Sequence, residues 1–186
     1  SFAKQLIEED KVVAIIGPTT SGESLKLKEL CEEAKVPLIS CAAAEGIVVP
    51  VAKYVFKTPQ KDSFAAKKIY DDMKAKGYKK IAVLASNTGF GNGGMDQLKK
   101  IAPEYGIDIA IAETYDKAAT DLTAILTKVN AKKVDAIVNW SIEPAQSIVP
   151  KNMKQLKMTA QLYQSHGFGN IKYVEAAGDA AEGTIF

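Results

Sequence analysis

The chain has 186 residues, 47% of them hydrophobic and 25% charged, and its 24 basic and 22 acidic side chains leave a formal net charge of +2. These values are typical of a globular protein with a sizeable core, and they exclude a disordered or fibrous chain. The near balance of charge gives no basis for binding nucleic acid or an anionic membrane. Every basic residue is Lys. An anion therefore cannot be held by a guanidinium group and must be bound by backbone N–H groups, hydroxyls, His or Lys.

Metal and cofactor chemistry has little support in the composition. Cys31 and Cys41 cannot form a zinc site alone, and the one histidine, His166, is far from both in sequence. We therefore expect no metal, no cofactor and no Cys-His catalysis. Residues 1–6 resemble the middle of an amphipathic helix rather than a signal peptide, so we expect an excised or processed piece of a longer protein.

Short apolar runs alternate with helical patterns along the chain, and a glycine, Gly77, ends one of the clearest helices. The predicted strands cover residues 12–16, 37–40, 54–56, 81–85, 107–112, 135–138 and 160–163. The predicted helices cover residues 24–34 and 62–76 and begin again near Gly91, Asp121 and Pro144. Because most of the strands are continuously apolar, the pattern predicts an α/β fold with parallel sheets covered by helices on both faces.

A change in pattern near residue 58 predicts two lobes, residues 1–58 and 59–186, each with its own parallel sheet. Ligands of open parallel sheets bind beyond the carboxyl ends of the strands. The loops in that position are residues 17–22, 40–45, 85–94, 139–143 and 164–169. We expect these loops to face a common cleft.

Two glycine-rich segments are similar to phosphate-binding motifs. Residues 17–24 match a phosphate-binding loop except that Glu23 replaces the essential Lys. The segment is therefore either a plain strand-helix turn or a helix N-terminus at which Thr20 and Ser21 hold a carboxylate. Residues 89–94 fit the dinucleotide pattern G-x-G-x-x-G, with Glu113 about where a ribose-binding acid is expected. That second match keeps open an alternative function, a nicotinamide-dependent oxidoreductase.

Three ring side chains also fall near predicted strand ends: Phe90, Trp140 and His166. Such residues are more often core or surface side chains than ligand contacts, and only their positions beyond strand ends favour the second interpretation.

Four segments together resemble the type I periplasmic solute-binding proteins of the branched-chain amino acid transporter family: residues 15–22, 36–40, 120–123 and 178–183. The resemblance covers essentially the whole chain. It implies a two-lobed receptor that is not an enzyme and lies outside the cytoplasmic membrane. Such a receptor binds a small solute between its lobes and delivers it to the permease of an ABC transporter. It also implies that residues 1–58 form a partial first lobe and residues 59–186 a nearly complete second lobe, with closure near Thr58.

The resemblance places the binding site residue by residue. Ser21 matches the family's carboxylate-binding serine, and Ala42, Ala43 and Ala44 match the segment whose backbone faces the ligand head group. Phe90 occupies the place of a tyrosine that stacks on the ligand, and Trp140 lies in the facing loop.

Two of the matched positions depart from the family pattern. Ala44 replaces a hydroxyl residue and His166 replaces a Glu, the two side chains that hold a ligand ammonium group in amino acid receptors. We therefore expect a carboxylate with an apolar or aromatic remainder rather than an α-amino acid, although an amino acid stays the alternative ligand. His166 is expected to bond a polar group at the far end of the ligand.

An incomplete first lobe leaves an exposed strand edge. Such edges pair with other chains. We therefore expect this chain to self-associate.

Overall fold

The computed structural model describes residues 2–186, which form two separate parallel sheets with helices packed against them. The strands are β1 (Ile15–Ile16), β2 (Leu38–Ser40), β3 (Val55–Lys57), β4 (Lys80–Ser86), β5 (Asp108–Tyr115), β6 (Ala136–Trp140) and β7 (Gln161–Gln164). The helices are α1 (Phe2–Glu8), α2 (Ser21–Ala34), α3 (Asp62–Ala75), α4 (Gly89–Tyr105), α5 (Thr123–Ala131), α6 (Ile148–Gln155) and α7 (Ile171–Ala177). In residues 2–186 we find no helix with both the length and the apolar character needed to cross a membrane.

The first sheet has the strand order β1-β2-β3, and all its strands are parallel. Its small core contains Leu38 and Val55 from the sheet and Cys31 from α2, all buried. The strand predicted over residues 12–16 is wrong for its first three residues. Val13 is exposed, so its side chain has no sheet or helix to pack against.

The second sheet has the order β5-β4-β6-β7, again all parallel. In the central strands β4 and β6, every residue after Lys80 is buried. One face packs against α3 and α4 through residues such as Tyr70 and Leu98, and the other packs against α5 and α6 through residues such as Leu126 and Val149. The predicted fold class, parallel sheets covered by helices, is therefore confirmed.

Two helices begin earlier than the sequence predicts, because a threonine side chain caps each of them. Thr20 Oγ1 accepts the N–H of Glu23 at the start of α2, and Thr88 Oγ1 accepts the N–H of Gly91 at the start of α4. The glycine motif of residues 89–94 consequently lies in the first turns of a helix and not in the loop that we expected.

The sheets are joined by residues 58–61, since β3 ends at Lys57 and α3 begins at Asp62. This connection coincides with the boundary expected near residue 58, and the division into lobes at that point stays a prediction. The carboxyl ends of β2 and β3 in one sheet and of β4, β6 and β7 in the other are the ends from which the loops of the expected cleft emerge.

Candidate functional site

The N-termini of α2 and α4 meet at a pair of glycines, one from each side of the expected cleft. A Cβ atom on Gly89 would lie 2.7 Å from both the Cα and the N of Gly22, closer than any real Cβ contact. Only glycine at position 89 allows the two backbones to approach this closely. The contact holds the strand ends of the two sheets next to each other.

The expected carboxylate site is assembled from α2 and the segment after β2. Ser21 is buried, and its Oγ accepts the backbone N–H of Ala44 at 3.2 Å. Ala42 and Ala44 are buried within the first core, whereas Ala43 packs against the core of the second sheet. The Ser21 hydroxyl keeps its own proton to donate. Because the Ala44 N–H is already donated to Ser21, the serine O–H is the group of this pair that is left for the expected carboxylate.

Thr20 contributes less than expected. It is exposed, and its hydroxyl donates to a Glu23 carboxylate oxygen at 2.6 Å while accepting the N–H of the same residue. Its hydrogen-bonding capacity is used within its own helix.

Phe90, Trp140 and His166 form one cluster of rings. The centroid of Phe90 lies 5.3 Å from that of His166 and 5.9 Å from that of Trp140. His166 meets both neighbours edge to face, with the Trp140 ring 5.7 Å away. These separations and angles are typical of favourable aromatic contacts. The structure thus brings together all three rings that the sequence singled out.

Trp140 is the most deeply placed of the three. It is the last residue of β6 and fully buried, rather than lying just past the strand as expected. A Cβ atom on Gly94 would lie 2.2 Å from its Nε1, so the indole ring lies directly against the backbone of α4. Nε1 has no hydrogen-bond partner among the described residues. Trp140 therefore packs beneath the Phe90 and His166 rings as part of the core.

His166 follows β7 and is positioned by Ser165. The Ser165 hydroxyl donates to the carbonyl of Ser141 at 3.0 Å and accepts the N–H of Gly167, which ties the loop to the end of β6. Burial lowers the pKa of the imidazole, and the positive charge of Lys57 lowers it further. His166 is therefore neutral near pH 7. Its Nδ1 is buried without a hydrogen-bond partner in the described part of the chain.

Two charged residues of the site, Lys57 and Asp62, were missed by the sequence analysis. Lys57 is the last residue of β3, and its Nζ donates to the carbonyls of Ala43 at 2.6 Å and Gln60 at 2.8 Å. Asp62 is the first residue of α3 and is fully buried. The rule that ligands bind beyond strand ends would have found both residues, had it been applied to the segment after β3.

A groove of 690 Å³ opens beside the glycine pair. Among the expected site residues, Thr20, Ser21 and Phe90 line it, whereas Ala42, Ala43, Ala44, Trp140 and His166 do not. Glu143 also faces the groove. Its burial alone would raise its pKa, but hydrogen bonds from hydroxyls, including that of Ser141, and from the N–H of Ile142 hold the pKa below its usual value. The groove is therefore lined by the carboxylates of Glu23, Asp116 and Glu143 and by the ammonium groups of Lys26 and Lys117.

The glycines of the dinucleotide-like motif are required by close packing. Besides Gly89 and Gly94, a Cβ atom on Gly91 would lie 2.0 Å from the carbonyl oxygen of Ser86. Glu113, the expected ribose-binding acid, lies in the edge strand β5 and pairs with Lys128 at 3.5 Å. The pattern that suggested a dinucleotide site is thus explained by helix-strand and helix-helix contacts.

Comparison with known proteins identifies the family. The family model for periplasmic binding proteins matches residues 1–186, and the chain belongs to this family. Among solved structures it is similar to an extracellular ligand-binding receptor from Rhodopseudomonas palustris HaA2, with a TM-score of 0.92 and 29% identity, covering 99% of this chain and 52% of that one.

Two further relatives differ in the ligands that they are named for. The leucine-, isoleucine-, valine-, threonine- and alanine-binding protein of Pseudomonas aeruginosa is 26% identical over 184 residues, which is 96% of this chain and 48% of that protein. A solute-binding protein of an R. palustris ABC transporter, solved in complex with 4-hydroxybenzoate, shares the fold with a TM-score of 0.83 and 24% identity, covering 96% of this chain and 50% of that one. The chain thus spans about half the length of the relatives it matches.

Proposed function

We propose that this protein is a solute-binding receptor that acts outside the cytoplasmic membrane. It captures a small carboxylate with an apolar or aromatic remainder and delivers it to the permease of an ABC transporter. The observation that carries the proposal is the buried Ser21 hydroxyl, whose oxygen accepts the Ala44 N–H at 3.2 Å and whose own proton is left to donate to a carboxylate. The N-terminus of α2 directly behind Ser21 favours an anion at this point.

The rest of the site suits an apolar body. Phe90 and His166 would line the cleft beyond the head group, with Trp140 supporting both rings. The neutral His166 would hydrogen-bond an uncharged polar group of the ligand through its free Nδ1. Closure of the two sheets on such a ligand would be stabilised only if the ligand makes contacts with both sheets.

An α-amino acid is the alternative ligand, favoured by the name of the P. aeruginosa relative. At the positions expected to hold its ammonium group, Ala44 provides a methyl and His166 a neutral ring. Each missing charge-assisted hydrogen bond costs about 1.5–3 kcal/mol, or roughly ten- to a hundredfold in affinity.

The test is calorimetric titration of the full-length protein with benzoate and with leucine. Benzoate should bind more tightly than leucine. The double variant His166→Glu with Ala44→Thr should shift the preference toward leucine by roughly tenfold or more, because it restores the two partners of the ammonium. Ser21→Ala, the control for the head group, should weaken both ligands. Tight binding of leucine by the unmodified protein without binding of benzoate would contradict the proposal.

The same protein should give no saturable thermal shift with NAD. A clear, saturable shift would instead favour the nicotinamide-dependent oxidoreductase suggested by residues 89–94.

A further inference from the structure

Asp62 is a buried carboxylate without a partner. Its exposed fraction is 0%, and neither of its oxygen atoms accepts a hydrogen bond within residues 2–186. Its side chain lies against Gly93 of α4, where an added Cβ would be 3.8 Å from Asp62 Oδ2 and 3.4 Å from the Cβ of Ala44. Asp62 therefore sits at the junction of the two sheets, next to the segment that is proposed to face the ligand carboxylate.

Lys57 is the cation of this junction. Two of its three N–H groups are used by the carbonyls of Ala43 and Gln60, which leaves one to donate. Through Ala43 the ammonium is fixed beside the proposed head-group segment. Burial lowers the pKa of Lys57, while the charges of Asp62 and Glu45 oppose that shift.

The charged groups around Asp62 are few. Lys57 faces it from β3, Glu45 from the turn after β2, and Lys61 precedes it in sequence, while α4 contributes the uncharged Gly93. His166, beyond Lys57, is neutral. Burial raises the pKa of Asp62 to about 7; the charge of Lys57 and the nearby backbone N–H of Glu45 oppose the rise, and the charge of the Glu45 carboxylate adds to it. The carboxyl thus titrates in the range in which a binding experiment can be done.

Building on the proposed function, we propose that Asp62 takes up one proton when the site binds a monoanionic carboxylate, so that Lys57 alone balances the ligand charge. If Asp62 stayed ionised, two carboxylates would share one ammonium in a site closed to water, and the second anion would be buried without compensation. With the proton on Asp62, the ligand is the one fully buried anion beside Lys57, since Glu45 is only half-buried. The proton comes from solvent, and no covalent bond of the ligand changes.

The sign of the pH dependence follows from this proton uptake. Below pH 7 Asp62 already carries its proton, and benzoate binds at full strength. Above pH 7 each binding event must first protonate the carboxylate of Asp62, so the affinity for benzoate falls as pH rises. Since benzoate stays fully ionised between pH 6 and pH 8, its own carboxyl adds nothing to this trend.

The experiment is calorimetric titration of the full-length protein with benzoate at pH 6, 7 and 8, repeated in two buffers with different enthalpies of ionisation. With a pKa of about 7 in the free protein, affinity should be about tenfold weaker at pH 8 than at pH 6, and the two buffers should report close to one proton taken up per benzoate at pH 8. The proton count uses the unmodified protein, so it does not depend on the folding of any variant.

Variants locate the proton. Asp62→Asn, which is nearly isosteric, should bind benzoate with the same affinity from pH 6 to pH 8 and without proton uptake. Asp96→Asn is the matched control, because Asp96 is an exposed carboxylate on α4, the helix that packs on Asp62; it should keep the full pH dependence. Lys57→Met should weaken benzoate at every pH, whereas Lys53→Met, at an exposed lysine just before β3, should not.

The outcomes separate the two proposals. Benzoate binding with no pH dependence and no proton uptake would overturn the role of Asp62 and leave the proposed function standing. A pH dependence that persists unchanged in Asp62→Asn would also overturn it. Failure of benzoate and of other simple aromatic acids to bind at any pH would contradict the proposed function itself.

Discussion

Gly94 and Gly93 are neighbours in α4 with opposite surroundings. The ring of Trp140 lies against Gly94, where an added Cβ would come within 2.2 Å of it, whereas a Cβ on Gly93 would meet its nearest atom at 3.4 Å. The fully buried Trp140 ring cannot move without disturbing the core of the second sheet. The same chemical change should therefore have opposite effects at the two positions.

We expect Gly94→Ala to lower the free energy of unfolding by about 1–3 kcal/mol, because the methyl group overpacks the core. Gly93→Ala should leave it unchanged or raise it by up to about 1 kcal/mol, because alanine favours the helix. Urea unfolding followed by circular dichroism measures both. Equal stability of the two variants would show that Trp140 is free to shift.

Single residues differ in how far the sequence reveals their roles. Ser21, Phe90 and His166 were found because each follows an apolar strand, a property that the local sequence displays. Lys57 and Asp62 also lie at a strand end, but the rule was not applied after β3, and the sequence does not display the burial of Asp62 or the bond from Lys57 to Ala43, which depend on other segments. Likewise, Trp140 ends inside β6, since its depth is set by the approach of α4 at Gly94.

Strands and helices were likewise predicted well where burial sets the sequence pattern and less well where single contacts set their ends. The central strands β4 and β6 were predicted well, because burial on both faces makes them continuously apolar. Their ends and the starts of α2 and α4 were predicted less well, because caps formed by Thr20 and Thr88 decide them. Strand β1 keeps only two residues of a five-residue apolar run. It lies at the edge of its sheet with Ile16 exposed.

This edge leads to a prediction about association. The 186-residue chain should self-associate through β1, because an exposed edge strand with an apolar side chain can pair with another copy. Ile16→Lys, at a position 78% exposed, should shift the population toward monomer in sedimentation velocity. Ile171→Lys, at a position 66% exposed on a helix, is the control and should change nothing. A sharply monomeric profile of the unmodified chain would refute the prediction.

We expect the two sheets to act as one binding unit only while α2 and α4 stay in contact, and that contact is asymmetric. A Cβ on Gly89 would lie 2.7 Å from the backbone of Gly22, but a Cβ on Gly22 would find its nearest neighbour, the N of Gly89, at 3.9 Å. A methyl group at position 89 would therefore wedge the N-termini of α2 and α4 apart, and a methyl group at position 22 would not. Both glycines are half-buried rather than buried.

We therefore expect Gly89→Ala to weaken benzoate binding by roughly tenfold or more while leaving the unfolding of each sheet unchanged, because it disfavours only the arrangement in which both sheets reach the ligand. X-ray scattering should show a larger radius of gyration for this variant in the presence of ligand. Gly22→Ala should match the unmodified protein in both measurements. If Gly89→Ala instead lowered stability without changing affinity, the contact would be a packing feature of α4, and the head-group site formed by Ser21 and Ala44 would work independently of the second sheet.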